Sequence, residues 1–337
     1  MQILTSSSRA YNKRGLTELN VINMKEKNIM NRTIKVLIGA VALVLLSVGT
    51  ASAQTGSLQG QNLFLFAPGS STPIQVVVPS GLTAPYTLTQ KGQVDYTELI
   101  YRFEEDVFLP DEPDSLNLAC LIYAQVALNY GLFCDEMVFH GWFDADDQRF
   151  LRGMAENTAR EIFVKKFLEP NPFLRGPVTE LSSVKRKTYL RSQMIFDQQG
   201  PEAEKRTQRN RTEKTGWPMD PSRHAILSSG GKDSLLSCGV LRETGCEVHP
   251  IFINESGRHW FTALNAYRHF SANIPHTARV WTNSDRVFSW MLRHIPFVRQ
   301  DFENVRSDEY PIRLWTVAVF LFGALPILRK RGIGRLI

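Results

Sequence analysis

The run Ser229-Gly-Gly-Lys-Asp-Ser234 restricts this chain more than any other feature, because of what stands on either side of it. Before it lies a short apolar segment, His224-Ala-Ile-Leu-Ser228, that reads as a strand. After it, Leu235 to about Glu243 reads as a helix. A strand that turns through glycines into a helix aims backbone N–H groups and the positive helix end at one point, which favours an anion. Gly230 and Gly231 permit the tight turn and leave no side chain between backbone and a phosphate. Ser229 and Ser234 add hydroxyl donors and Lys232 a cation. Asp233 supplies a carboxylate able to hold the Mg²⁺ that accompanies a polyphosphate.

The loop is not a Walker A motif. That motif needs G-x-x-x-x-G-K-[ST], with a hydroxyl directly after the lysine. Here Asp233 follows Lys232, and Ile226 stands where the first glycine belongs. The six residues instead resemble the S-G-G-x-D-S signature of the PP-loop ATP pyrophosphatases, which split ATP into AMP and pyrophosphate. The resemblance implies an α/β fold, a doubly wound parallel sheet of the adenine nucleotide alpha hydrolase type. It implies ATP and Mg²⁺ as cofactors, with Ser229, Gly230, Gly231, Lys232, Asp233 and Ser234 around the phosphates. Lys232 and Asp233 are then the catalytic residues, and Asp233 the metal ligand. The adenine is expected against the backbone near Ile253 and Asn254.

The residues beyond the loop fit a βαβ rhythm. Gly245 ends the helix, Glu247–Ile253 reads as the next parallel strand, and Asn254–Arg258 as a polar turn. A helix from Trp260 to Phe270 and a strand from Ala278 to Thr282 follow. Ligands of such sheets sit at the carboxyl ends of strands, so Ser229–Ser234, Asn254–Arg258 and Thr282–Asp285 are expected around one crevice. Leu314–Leu328 is a continuous apolar run with Pro326 inside it, read as a helix buried on the sheet rather than a membrane span. Gly332–Ile337 begins a further strand, and the domain is expected to be incomplete at its C-terminus.

The partner expected from the motif is a small molecule bearing a carboxylate or carbonyl, adenylated by attack on the α-phosphate of ATP. With a mixed domain ahead of the loop, the layout from about residue 94 resembles the ATP-dependent epimerase that inverts the terminal glutamate of UDP-N-acetylmuramoyl-L-alanyl-L-glutamate. Adenylation suits that chemistry, because it removes the carboxylate charge that otherwise opposes loss of the α-proton. Glu255, His259, Asp308 and Glu309 are the candidate bases, unranked. The competing enzyme readings are a deazaguanine nitrile synthase and a tRNA-modifying adenylase. A reading of another class is an exported β-rich structural protein without catalysis.

The N-terminal part pulls against an ATP-consuming enzyme. Residues 30–53 carry a basic start, the apolar run Val36–Val48 and Ala51-Ser-Ala53, the three parts of a secretory signal peptide. ATP chemistry belongs in the cytoplasm, whereas this segment predicts export. Residues 1–29 are therefore expected to be a spurious or disordered extension. Residues 54–92, rich in Gly, Ser, Thr and Pro with strand-like pieces at Leu63–Phe66 and Ile74–Val78, are expected to be a foreign leader that packs against nothing later. A smaller α+β domain is expected over 93–184, with helices at Leu116–Tyr130 and Asp146–Leu168 and a strand within Phe133–Trp142. A basic linker over 185–220 and the PP-loop domain over 221–337 complete the plan.

Composition narrows the alternatives. A net charge of +6, much of it between Lys185 and Lys214, is not the even basic coat of a dedicated nucleic-acid binder. An RNA-binding role for Lys205, Arg206, Arg209 and Arg211 is thinly supplied with stacking aromatics. The four cysteines, Cys120, Cys134, Cys238 and Cys246, form no C-x-x-C pair and are expected as small buried residues. Asp144, Asp146 and Asp147 at a helix entrance are expected as cap and dipole partners rather than a metal cluster, and His140 beside Trp142 as structural.

Overall fold

The computed structural model describes residues 61–64, 75–77, 81–109, 112–168, 171–175, 186–197, 216–257, 259–307 and 316–337. Among them the chain is mixed α/β, with strands β1 (Gln61–Phe64), β2 (Gln75–Val77), β3 (Gly81–Gln90), β4 (Gln93–Phe103), β5 (Glu136–His140), β6 (Gln193–Asp197), β7 (Asp220–Leu227), β8 (Glu247–Asn254), β9 (Ala278–Thr282) and β10 (Ile333–Leu336). The helices are α1 (Pro113–Ala127), α2 (Ala145–Phe167), α3 (Lys232–Glu243), α4 (Trp260–Asn273), α5 (Ser284–Arg293) and α6 (Thr316–Arg331). All the strands join one sheet in the order β10-β7-β8-β9-β4-β3-β1-β5-β6, with β2 beside β3.

Two parallel blocks make up this sheet. β10, β7, β8 and β9 form one, and β1, β5 and β6 the other. Between them the long antiparallel hairpin β3–β4 pairs with β9 on one side and β1 on the other. β8 shows what the first block demands: Val248 to Asn254 are all buried, so both of its faces must be covered. On one face Phe252 and Val248 pack with Ile226, Cys238 of α3 and Ala263 and Phe270 of α4. On the other lies α6, where a Cβ added at Gly323 would reach ordinary van der Waals contact, 3.5 Å, with Ile253 and Tyr101. α6 also docks on α1, where Arg329 donates to Glu112 Oε1 at 2.5 Å and Ser115 Oγ at 2.8 Å. β10 lies so close to β7 that a Cβ on Gly334 would fall 2.6 Å from the Asp220 carbonyl oxygen, and the ladder shifts register there.

The helices and strands expected from residue 116 onward are present with their ends moved by a few residues. Asp144 caps α2 with its side chain, accepting from the amides of Asp146 and Asp147, and Asp147 answers from the third position as a capping box. Burial holds the Asp147 carboxyl up at about 6. His140 is tied to Asp197 by a 2.8 Å contact between the ends of β5 and β6. Cys120, Cys134 and Cys238 are buried, while Cys246 is half-buried. Among the described residues no helix is long and apolar enough to cross a membrane.

The plan of separate regions needs correction. The break in composition near Val94 is not a structural boundary; it falls at the turn of a single hairpin. Lys91 and Gly92 both have positive φ, 51° and 77°, and Gln90 pairs with Gln93, as in a two-residue turn whose twist matches the strands it joins. β3 alternates Leu82, Ala84, Tyr86 and Leu88 into the core, each at most 1% exposed, and the Tyr86 hydroxyl donates to the carbonyl of Tyr123 in α1. Pro85, which lacks an N–H, lies at a stretch where neither β1 nor β2 pairs with β3. Nor is the region 185–220 a linker throughout. Tyr189 and Met194 are buried, and Gln193–Asp197 forms β6. Residues 1–60 and the arginines and lysine at 205–211 lie outside the described residues.

If β3 is an integral strand, Leu88→Ala should lower stability by about 2–5 kcal/mol, the usual effect of emptying a buried leucine site. Urea unfolding of the full chain reads this. A change within about 0.5 kcal/mol is the outcome expected of an unpacked leader.

Candidate functional site

The glycine loop Ser229–Ser234 stands at the carboxyl end of β7, with the ends of β8 and β9 beside it, since the three strands are parallel neighbours. Three contacts shape it. Gly230 has φ +75°, and a Cβ there would meet Ala263 Cα and Ala266 Cβ at 3.0 Å, so the first turns of α4 seat directly on its bare backbone. Ser228 is buried, and its hydroxyl oxygen accepts the Gly230 N–H at 3.2 Å while lying 3.0 Å from Ser234 Oγ. Ser234 in turn donates to the Gly231 carbonyl at 2.9 Å. The mouth of the loop is thus braced from within.

Gly231 occupies the cap position of α3 in an extended conformation, φ −77°, and offers no capping side chain. The opening N–H groups of a helix have no partner within it and are satisfied by a cap, by water or by a ligand. A Cβ at Gly231 would come no nearer than 3.5 Å to Ser229 Oγ. Ser229, Lys232 and Asp233 are exposed at the same end of the helix. Of the loop residues named from sequence, Ser234 differs from expectation: its hydroxyl is engaged inside the loop. Ser228, which sequence reasoning placed only as the last residue of a strand, helps to hold the loop in shape. Its signal was a hydroxyl ending an otherwise apolar strand.

At the end of β8, Ile253 and Asn254 are buried. Asn254 Oδ1 accepts the Ser256 amide at 2.9 Å, Ser256 turns through φ 66°, and its hydroxyl donates to the carbonyl of Thr282 at the end of β9. The amide of Asp285 lies 3.4 Å from the Glu255 carbonyl. The turn after β8 is therefore stitched to the end of β9 and the start of α5. Two of the four candidate bases meet here. Glu255 is 6% exposed, and its Oε1 is hydrogen-bonded to His259 Nδ1. That bond raises the His259 pKa above the ordinary value; burial opposes it, and the charges of Glu255 and Asp285 add to it. Asp308, Glu309 and Arg258 lie outside the described residues.

Among the described residues no three His, Cys, Asp or Glu side chains converge in the manner of a metal cage. A hard cation at the loop would therefore rely on Asp233, phosphate oxygens and water, the coordination Mg²⁺ commonly keeps with nucleotides. A cleft of about 280 Å³ lies elsewhere, lined by Arg102, Phe103, Glu104, Arg279 and Trp281, with no residue of the loop in it.

The two glycines are expected to respond differently to the same substitution. Gly230→Ala combines a left-handed φ with a clash against helix backbone and should cost about 1–3 kcal/mol. Gly231→Ala meets neither obstacle and should leave the melting temperature nearly unchanged. Thermal unfolding of the two variants beside the parent checks the pair; equal losses would contradict the seating of α4 on Gly230.

No protein-family model matches the chain, and neither a curated protein nor a solved structure is similar to it beyond the level expected by chance.

Proposed function

We propose that the chain is a PP-loop ATP pyrophosphatase that adenylates a substrate carboxylate or carbonyl, releasing pyrophosphate. The observation that carries the reading is the S-G-G-K-D-S loop itself, with its glycine backbone held bare between β7 and α3 beside two further parallel strand ends. The fold proposed is the doubly wound parallel sheet of that superfamily, formed here by the β10-β7-β8-β9 block with α3 and α4 on one face and α6 on the other.

On this reading the amides at the start of α3, with Ser229 and Lys232, hold and neutralise the phosphates. Any side chain at position 231 would stand between backbone and phosphate. Asp233 would hold Mg²⁺, which supplies charge neutralisation on the pyrophosphate leaving group. The adenine would rest on backbone near Ile253 and Asn254. Ser234 and Ser228 keep the loop in shape, so their contribution is to geometry. The catalytic gain comes from positioning and from fixed dipoles aimed at developing phosphate charge. The substrate proposed first is UDP-N-acetylmuramoyl-L-alanyl-L-glutamate, whose terminal carboxylate would be activated for inversion of the adjacent carbon, in the cytoplasm where ATP is supplied.

The protein should release pyrophosphate and AMP from ATP in the presence of Mg²⁺ and this substrate. Release of orthophosphate and ADP would contradict the reading. Asp233→Asn is nearly isosteric but loses the charge that holds the cation. It should lower the rate on the order of a thousandfold, several kcal/mol in the transition state, with the melting temperature held. Retained activity with a lowered melting temperature would instead make Asp233 a helix-dipole partner only.

A further inference from the structure

Three features of the turn after β8 go beyond nucleotide holding. The first is the bond between Glu255 Oε1 and His259 Nδ1, which fixes the imidazole through one nitrogen and leaves Nε2 without a partner among the described residues. The second is Glu255 Oε2, a buried carboxylate oxygen that has no hydrogen-bond partner among the described residues. A buried acceptor without a partner forfeits the hydrogen bonds it had in water, so Oε2 is an open position for a donor. The third is location. His259 caps α4, its carbonyl accepts from Thr262 and Ala263, and Ala263 is the residue on which Gly230 rests. One helical turn separates the imidazole-bearing residue from the contact that seats the phosphate-type loop.

We propose that Glu255 and His259 form the acid–base element of the nucleotide crevice, with His259 Nε2 as the proton acceptor and Glu255 as the positioning residue. The assignment rests on the nucleotide reading above and adds to it the group that acts after activation. In the adenylated substrate, the bond between the α-carbon and its hydrogen breaks and an N–H bond forms at Nε2. The electron pair moves onto the carbonyl oxygen as an enolate. The imidazolium so formed carries one positive charge beside Glu255 and Asp285. Among the described residues the groups facing the ring are Glu255 from the turn, Asp285 from α5 and, from α6, the apolar ring of Phe320 with its centroid 5.5 Å away. A base is most effective when its pKa lies near the working pH, and both carboxylates move His259 upward from its usual range. The His259 side chain is 39% exposed, which keeps Nε2 within reach of a ligand.

The test needs no substrate. Diethyl pyrocarbonate modifies neutral imidazole, and peptide mapping reads the rate at His259 alone, in the full chain with and without MgATP, whose binding is followed by calorimetry. MgATP should slow modification of His259 several-fold. The pH midpoint of modification should lie above the ordinary histidine value of about 6.5, and Glu255→Gln should lower it. If Glu255→Gln does not fold, Asp285→Asn provides the second reading, because it removes a neighbouring charge without touching the hydrogen bond; it too should lower the midpoint. MgATP binding without protection, or a midpoint indifferent to these variants, overturns the assignment and leaves the nucleotide reading standing. Absence of any MgATP binding overturns both.

Discussion

β8 is buried on both faces, and much of the molecule follows from that. A strand reading Val-His-Pro-Ile-Phe-Ile-Asn from Val248 to Asn254 has no solvent side, so helices must cover it front and back. Parallel neighbours cannot be joined by a tight turn, so β7, β8 and β9 are linked through α3 and α4. The loops that leave their carboxyl ends then gather on one edge. What lies there is a glycine loop, an Asx-type turn and the start of α5. The same burial explains why Gly230 must be glycine: α4 reaches Phe252 and Val248 only by laying its first turns on the loop backbone.

The hairpin β3–β4 supplies the complementary constraint. It is long enough to pair with β9 through Tyr101–Phe103 at one end and with β1 through Thr87–Gln90 at the other. It therefore makes one sheet out of two parallel blocks. The core on its inner face is aromatic, with Tyr86 and Tyr101 fully buried, and burial raises the pKa of both phenols. Neutral hydroxyls that remain donors are what a dry interior requires.

Local elements were legible in the sequence where period and punctuation agreed. Ala278–Thr282 is bounded as read, the Asp144 cap was announced by three carboxylates at a helix entrance, and Gly245 marked the end of α3. Composition misled at Val94, because a change in residue usage can mark a turn as easily as a border. Lys91-Gly92 carried the hairpin signal, but a non-glycine residue at positive φ is a weak cue beside Asn-Gly or Asp-Gly. The distribution of roles within the loop was also hidden. Ser229 and Ser234 look alike in sequence, yet one is exposed and the other braces Gly231 and Ser228. Likewise Glu255 and His259 stood among four unranked candidates. Their pairing is made across a turn in which Ser256 has positive φ, a conformation that a serine does not announce in sequence.

The central claim is that the backbone of the Ser229–Ser234 loop receives the phosphates of ATP. Amide hydrogen exchange of the full chain with and without MgATP reads that backbone directly. Slower exchange should appear at 229–235 and at 254–257, where the strand ends meet. Unchanged exchange in both segments, with slowing instead around Arg102 and Trp281, would put the ligand in the other cleft and contradict the account.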